Sequence, residues 1–513
     1  MIAHVSTFTL AGLEPRRVTV EVDLRNGLPS FTIVGLGDRA VRESRERVRA
    51  AILNSGFAFP DKRVTVNLAP AHLRKSGPGF DLAIACGVLA ASGQIPLERL
   101  ERFAVFGELA LGGAIRPGRG VLAVAEGVRD VGLEGLVVAS ERVGEAALVD
   151  AVAVHGVASL QDAAAVLRGL PVDPPPAAAL GARMREDPAA APTSPGVDLA
   201  DVRGHASVLG SLTIAAAGGH NVLFTGPPGT GKTMLARRLP SILPPLTRAE
   251  ALEVTRIQSV VGLRGATTLL VDRPFRAPHH HISASGLVGG GAVPVPGEAT
   301  LAHHGVLFLD ELSEFSRDAL EALRQPLEDG RVAIVRGQRT AIYPTRIMLV
   351  AATNPCPCGY LGSDRCDCSE PELGRHRRRL SGPLLDRIDL QVHVARPTAE
   401  ELRGPAHCTS AGERERVIAA RERQLARLDG SRATCNAHMD ATQVRRLVRL
   451  EPDAERELWR DYDKGVLSAR GHQRVLRVAR TVADLAGSDT VGRVHVLHAL
   501  GLRRDGVAEM ESA

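Results

Sequence analysis

Hydrophobic positions along this chain recur with two spacings, and their succession divides it. In the first third, short apolar or alternating runs at residues 17–22, 30–34, 63–68 and 136–138 predict strands, and residues 39–55, 81–92 and 121–131 predict helices between them. That alternation predicts a mixed α/β domain over residues 1–169. Residues 170–195 (LPVDPPPAAALGARMREDPAAAPTSP) are rich in Pro and Ala without hydrophobic periodicity, which predicts an extended linker. Beyond it, apolar runs at residues 222–225, 306–310 and 347–352 each end in a polar residue. This pattern predicts a parallel sheet with its site at the carboxyl ends of the strands, in a second α/β domain over residues 196–398. From Ala399 to residue 513 the period is helical: residues 413–428 are densely charged, and Val475, Val478, Val482 and Leu485 share one face, as in a helical lid.

At 513 residues the chain exceeds one hydrophobic core. No apolar run reaches the roughly 18 residues of a membrane span, and the opening residues lack a basic stretch followed by an apolar one, so a soluble cytoplasmic protein with no membrane partner is expected. The 63 basic against 58 acidic residues give a mild positive bias, compatible with nucleic acid. Aromatics are 3% of the chain, which argues against a base-stacking platform and leaves backbone charge to carry any such contact.

The chemistry starts at Gly226-Pro227-Pro228-Gly229-Thr230-Gly231-Lys232-Thr233, a P-loop between a strand run and a helix run. Glycines free the backbone to wrap a polyphosphate with N–H groups, and the helix N-terminus adds positive potential. Lys232 is placed to meet the β- and γ-phosphates of ATP, and Thr233 to hold Mg²⁺. In Val306-Leu307-Phe308-Leu309-Asp310-Glu311 a buried strand delivers Asp310 to the Mg²⁺ shell, while Glu311 polarises the attacking water. Asn354, at the tip of the next strand, can touch the γ-phosphate, orient the attacking water or merely cap. Arg387 is a candidate arginine finger toward a neighbouring subunit, or else a salt-bridge partner of Asp386 or Asp389. Arg470, opening a lid helix, can reach a γ-phosphate or stand exposed.

Taken together, GPPGTGKT, VLFLDE, AATNPCPCG, SGPLLDRID and LSAR resemble the AAA+ ATPases of the magnesium-chelatase-like group, in particular the ComM/YifB family. The likeness runs nearly end to end and includes Arg276-Ala277-Pro278-His279-His280, Gly289-Gly290-Gly291 and Pro296-Gly297-Glu298. It implies a hexameric ring with ATP sites between subunits, Asn354 as sensor 1, Arg387 as the finger and Arg470 as sensor 2. Gly471 stands where the family usually has Ala, which can loosen the start of the lid helix but should not remove the sensor. The N-terminal domain resembles the Lon-type proteolytic fold through residues 76–81 and 106–113, yet Gly79 takes the place of the serine and Leu122 that of the lysine. Neither can act as nucleophile or base, so no peptidase substrate is expected.

Cys356, Cys358, Cys366 and Cys368 form C-x-C-x₇-C-x-C within thirteen residues, a set that can close a structural Zn²⁺ site or act as a redox-sensitive thiol cluster. Cys86, Cys408 and Cys435 read as ordinary thiols. His279-His280-His281 lie in an insertion with Leu287 and Gly289–Gly291; three consecutive histidines are not expected to face one ligand, and the glycines suggest a mobile pore-facing loop. Residues 331–343 predict a hairpin with Arg336 and Arg339 flanking its tip. The resemblance makes this the pre-sensor hairpin, and the two arginines candidates for nucleic-acid phosphates. The run Arg375-His376-Arg377-Arg378-Arg379 can also meet phosphate or border the nucleotide interface. An ATP-driven ring motor acting on DNA leads; the motor subunit of a metal chelatase and a nucleotide-switched scaffold are the alternatives.

Overall fold

The computed structural model describes residues 2–75, 77–172, 197–263, 269–291, 294–336, 339–379, 382–465 and 467–511. Nearly all of the predicted linker therefore lies outside the described residues. The chain forms two compact units, Met1–Pro188 with Thr247–Leu270, and Ala189–Leu246 with Val271–Ala513.

In the first unit β1 (Ile2–Ala11) and β2 (Glu14–Arg25) form a long antiparallel pair, and the alternation of β2 turns Val18, Val20 and Val22 inward. With β3 (Ser30–Val34), β4 (Arg63–Ala69), β5 (Phe103–Val105), β6 (Gly135–Ala139) and β7 (Ala153–Val157) they build a seven-stranded mixed sheet in the order β3-β4-β2-β1-β5-β6-β7. Helices α1 (Arg39–Asn54), α2 (Asp81–Ala91), α3 (Val121–Asp130) and α4 (Leu160–Arg168) pack on it. Every residue of α2 is buried, as expected of a helix apolar all round. Its one acid, Asp81, accepts from Arg47 at 2.7 Å.

The helix Arg248–Val261 also belongs to this unit, whereas the sequence pattern runs the nucleotide domain unbroken through it. Its anchoring explains the difference. Ser259 bonds to the buried Glu145 carboxylate, which also takes the Leu122 N–H at 2.9 Å and Arg142 at 3.1 Å. Arg256 and Arg248 add pairs to Glu126 and Asp150 at 3.2 and 2.8 Å. No pattern within residues 248–261 announces partners a hundred positions away.

The second unit has a five-stranded, all-parallel sheet built from β8 (Val222–Thr225), β9 (Phe275–Arg276), β10 (Val306–Leu309), β13 (Met348–Thr353) and β14 (Leu390–His393), in the order β9-β10-β13-β8-β14. Its inner strands are buried along their whole length, which is why they read as unbroken apolar runs. Between β10 and β13 the hairpin β11 (Arg331–Arg336) and β12 (Arg339–Pro344) stands apart from this sheet, as the alternation predicts. Helices α5 (Ala206–Gly218) and α6 (Lys232–Arg238) flank it, α7 (Glu370–Arg379) follows the cysteine loop, and α8 (Ser410–Arg427), α9 (Pro452–Asp463), α10 (Ala469–Leu485) and α11 (Arg493–Glu511) make the lid. The start of α10 is capped by the Ser468 side chain, which accepts the Gly471 N–H at 3.0 Å. A Cβ at Gly471 would come within 3.4 Å of Arg503 Nε, so small size at this position admits Arg503.

Asp389 fastens the lid to the sheet. It precedes β14, is buried, and meets Arg474 of α10 at 2.9 Å, the Asn221 N–H at 3.1 Å and His220 Nδ1 at 3.5 Å. Burial alone would raise its pKa, but His220, Arg474 and Arg477 outweigh burial and hold it well below the usual carboxylate range. Asp389→Ala should therefore cost about 3–5 kcal/mol in denaturant unfolding, because Arg474 loses its counter-charge. A depressed carboxylate stabilises fully above its unfolded pKa of about 4 and loses that contribution as pH falls toward the folded value. The gap between wild type and variant should accordingly narrow below about pH 4, and an unchanged gap would contradict the assignment.

Candidate nucleotide site

Parallel strands end together, so the residues that follow β8, β9, β10 and β13 converge on one edge of the sheet. After β8 the P-loop turns through positive φ at Gly229 (76°) and Gly231 (90°), where a side chain would be strained. Lys232 then opens α6 with its ammonium buried, donating to Gly226 O at 2.6 Å, Pro227 O at 2.8 Å and Asn354 Oδ1 at 3.1 Å. Burial lowers its pKa from the ordinary lysine value, and Asp310 opposes that shift. Thr233 donates to Asp310 Oδ2 at 2.7 Å, so the two predicted Mg²⁺ ligands are already in contact.

Glu311 takes a different path from its neighbour. Its backbone is left-handed, with φ 54°, rare for a residue with a Cβ. Its carboxylate stands 3.3 Å from His280 Nδ1. His280 follows β9 on the same edge, a place in the site that the sequence pattern does not assign to it. The available signal is the position of the histidines just past a strand, hidden because β9 is only two residues long. The expectation that three consecutive histidines cannot converge also fails geometrically. A turn closed by Ile282 N–H to His279 O at 2.9 Å brings one ring nitrogen from each of His279, His280 and His281 within 4.8 Å of the others.

Asn354 meets Lys232 with its side chain, and its carbonyl lies 3.0 Å from His376 Nε2 of α7. His376 is buried, and burial pulls its pKa below the ordinary histidine value. Of that basic run, Arg379 pairs with Glu314 at 3.4 Å. The four cysteines between Asn354 and α7 come together, all Sγ atoms lying within 4.8 Å of one another. Cys86 and Cys435 are buried and Cys408 is partly so.

In the hairpin β11–β12, Arg336 pairs in register with Arg339, the tip residues 337–338 lying outside the described residues. Val332, Ile334, Ala341 and Tyr343 form its buried face, and Arg336 is exposed. In the preceding insertion Gly289–Gly290 is buried and paired with Val295–Pro296, and a Cβ on Gly289 would strike Ile334 at 2.6 Å. Arg276 and Glu298 form a bidentate pair at 2.6 and 2.8 Å, which ties two of the quoted motifs together.

Arg387 and Arg470 are not brought to this P-loop. Arg387 precedes β14 at the amino edge of the sheet, its carbonyl accepting from Asn221 Nδ2 at 3.0 Å. Four-residue β8 puts roughly 13 Å between that edge and the P-loop. The Arg387 side chain is 5% exposed, and its guanidinium pairs with Glu328. Arg470 is exposed one turn before Arg474, the partner of Asp389, and so shares the amino edge with Arg387.

In the first unit, a Cβ on Gly79 would meet Phe106 at 2.7 Å, and Leu122 is fully buried. Among the described residues no helix is long and apolar enough to cross a membrane.

Residues 198–402 match the family described as magnesium chelatase, subunit ChlI; residues 20–142 match subunit ChlI of Mg-chelatase, and residues 407–503 its C-terminal part. The chain is 42% identical to competence protein ComM of Haemophilus influenzae over 505 residues, 98% of this chain and 97% of that protein. It is 41% identical to the uncharacterized protein YifB of Escherichia coli over 507 residues, covering 98% and 97%. A Mycobacterium tuberculosis protein, Rv2897c, is 44% identical over 514 residues, covering 98% and 99%. On matches that run nearly end to end, the protein belongs to the magnesium-chelatase-like ComM/YifB family of AAA+ ATPases.

Proposed function

We propose that the protein is an ATP-hydrolysing, ring-forming motor that acts on DNA, as a helicase or branch-migration enzyme in recombination or the uptake of incoming DNA. The observation that carries the motor reading is the split of the machinery between two edges of one sheet. Lys232, Thr233, Asp310, Glu311 and Asn354 stand at the carboxyl edge, and Arg387 and Arg470 at the amino edge. Such a chain offers a nucleotide cradle on one side and arginines for a neighbour's nucleotide on the other, which favours a closed ring, taken here as a hexamer. Mg²⁺ would be held by Thr233 and Asp310 and would neutralise phosphate charge. Glu311 would orient water once released from His280, with Asn354 sensing the γ-phosphate.

DNA as substrate is supported by exposed Arg336 at the hairpin tip, by Arg339 paired with it in register, and by the competence role in the name of one relative. The N-terminal unit is taken as a Lon-like scaffold without peptidase chemistry. Gly79 is packed against Phe106 and Leu122 is sealed in the core, so neither position offers a nucleophile or base. The second reading, the motor subunit of a metal chelatase, is favoured by the description of the matched family.

Glu311→Gln should bind ATP normally but hydrolyse it about 10²–10⁴-fold more slowly, read by nucleotide titration beside phosphate release. Arg387→Ala alone should lose about 10³–10⁵ in turnover and regain part of it in rings mixed with Lys232→Ala subunits, which supply the missing finger; no regain would argue against sites shared between subunits. ATPase rate measured with single-stranded, duplex and branched DNA should rise, and the rise should shrink steeply with added salt. No stimulation by any DNA would remove the DNA reading while leaving the ATPase intact.

A further inference from the structure

We propose that Cys356, Cys358, Cys366 and Cys368 hold one Zn²⁺ whose work is to brace the P-loop for ATP; the bracing part rests on the ATPase reading above. The donor set comes first. Cys356 Sγ lies 3.3 Å from Cys358 Sγ and 3.9 Å from Cys366 Sγ, and Cys358 lies 3.6 Å from Cys366. Four sulfurs at about 2.3 Å from one ion stand about 3.8 Å apart, so the four thiols are gathered at close to the spacing a tetrahedral ion requires. Four sulfur donors with no open position are the chemistry of a structural Zn²⁺ site. The Cys358 N–H points at Cys368 Sγ at 3.4 Å, the kind of outer bond that spreads thiolate charge.

The loop's composition calls for such an ion. Between the first and last cysteines, Tyr360 and Leu361 are the only large apolar side chains, and neither is fully buried. A thirteen-residue loop with so little apolar surface cannot offset its ordering entropy by burial. Metal binding supplies ordering directly.

Its placement gives the ion a role. The loop begins two residues after Asn354, which accepts a hydrogen bond from Lys232. Its first turn, closed by Gly359 N–H to Cys356 O at 3.0 Å, rests on the P-loop: a Cβ on Gly359 would come 2.6 Å from Pro228 Cδ. The P-loop is thus touched from Asn354 and from Gly359, both held by the chain that the ion would tie.

The test uses the full-length protein. Elemental analysis should find one Zn²⁺ per chain, and the Cys366→Ser/Cys368→Ser double variant should lose it. Displacing the metal from wild type with a mercurial in the presence of a chromogenic chelator should weaken binding of a fluorescent ATP analogue about tenfold, as expected for a displaced cradle, with recovery on adding thiol and Zn²⁺. Gly359→Ala should keep the metal and weaken ATP binding in the same direction, a result that loss of folding around the cysteines cannot mimic. Absence of bound metal, or isolation of the four thiols as two disulfides by mass, would overturn the site. Equal ATP affinity with and without metal would overturn the brace. A metal-replete wild type that binds no ATP would instead sink the nucleotide reading, and the brace with it, while the metal count stands.

Discussion

A lysine ammonium buried among strand ends constrains everything around it. Lys232 needs acceptors for its protons, and it finds them in the carbonyls of Gly226 and Pro227 and in Asn354. One cation therefore holds the curl of the P-loop and the tip of β13 together. Phosphate oxygens are stronger acceptors than carbonyls, because the bond to them joins two charges. A nucleotide would compete for the same protons, so its arrival would be felt at Asn354 and along the chain that leads from it into the cysteine loop and α7.

Two adjacent carboxylates beside that lysine are kept apart by backbone rather than by distance. Asp310 continues from its strand and meets Thr233, whereas Glu311 turns through the left-handed region toward His280. A non-glycine residue there carries of order 1–3 kcal/mol of strain, which persists only where surroundings impose it. The separation suits the two tasks proposed for them, since a metal ligand and a water-orienting base must point in different directions.

Much of this is legible because strong local chemistry coincides with clear periodicity. The P-loop needs its glycines, the inner strands need unbroken apolar runs, and the hairpin needs alternation, so β8, β10, β13 and β11–β12 stand where their patterns predict. Strands at Ile2–Ala11, Phe103–Val105, Ala153–Val157 and Leu390–His393 carry too weak or too short a signal to read. Two residues of β9 cannot declare a strand, and with it goes the reason for His280 standing beside Glu311. The helix Arg248–Val261 reads as part of the nucleotide domain because its partners, Glu126, Glu145 and Asp150, are distant in sequence. Nor does spacing tell that Arg387 pairs with Glu328.

That pairing bears on how a finger at the amino edge would operate. Arg387 is nearly enclosed and charge-compensated by Glu328, whose own side chain is half exposed. A pair with one face in water is held only modestly, because solvent screens the exposed partner. A neighbouring subunit's phosphates would present more negative charge than one carboxylate, so the guanidinium would gain by exchanging Glu328 for them. Asp389, by contrast, is buried between His220 and Arg474 and cannot be exchanged cheaply. The amino edge thus sets a fixed ionic anchor for the lid two residues from an arginine whose partner is replaceable, and the proposed ring would use both: one group to keep the edge rigid and one to respond to a nucleotide across it.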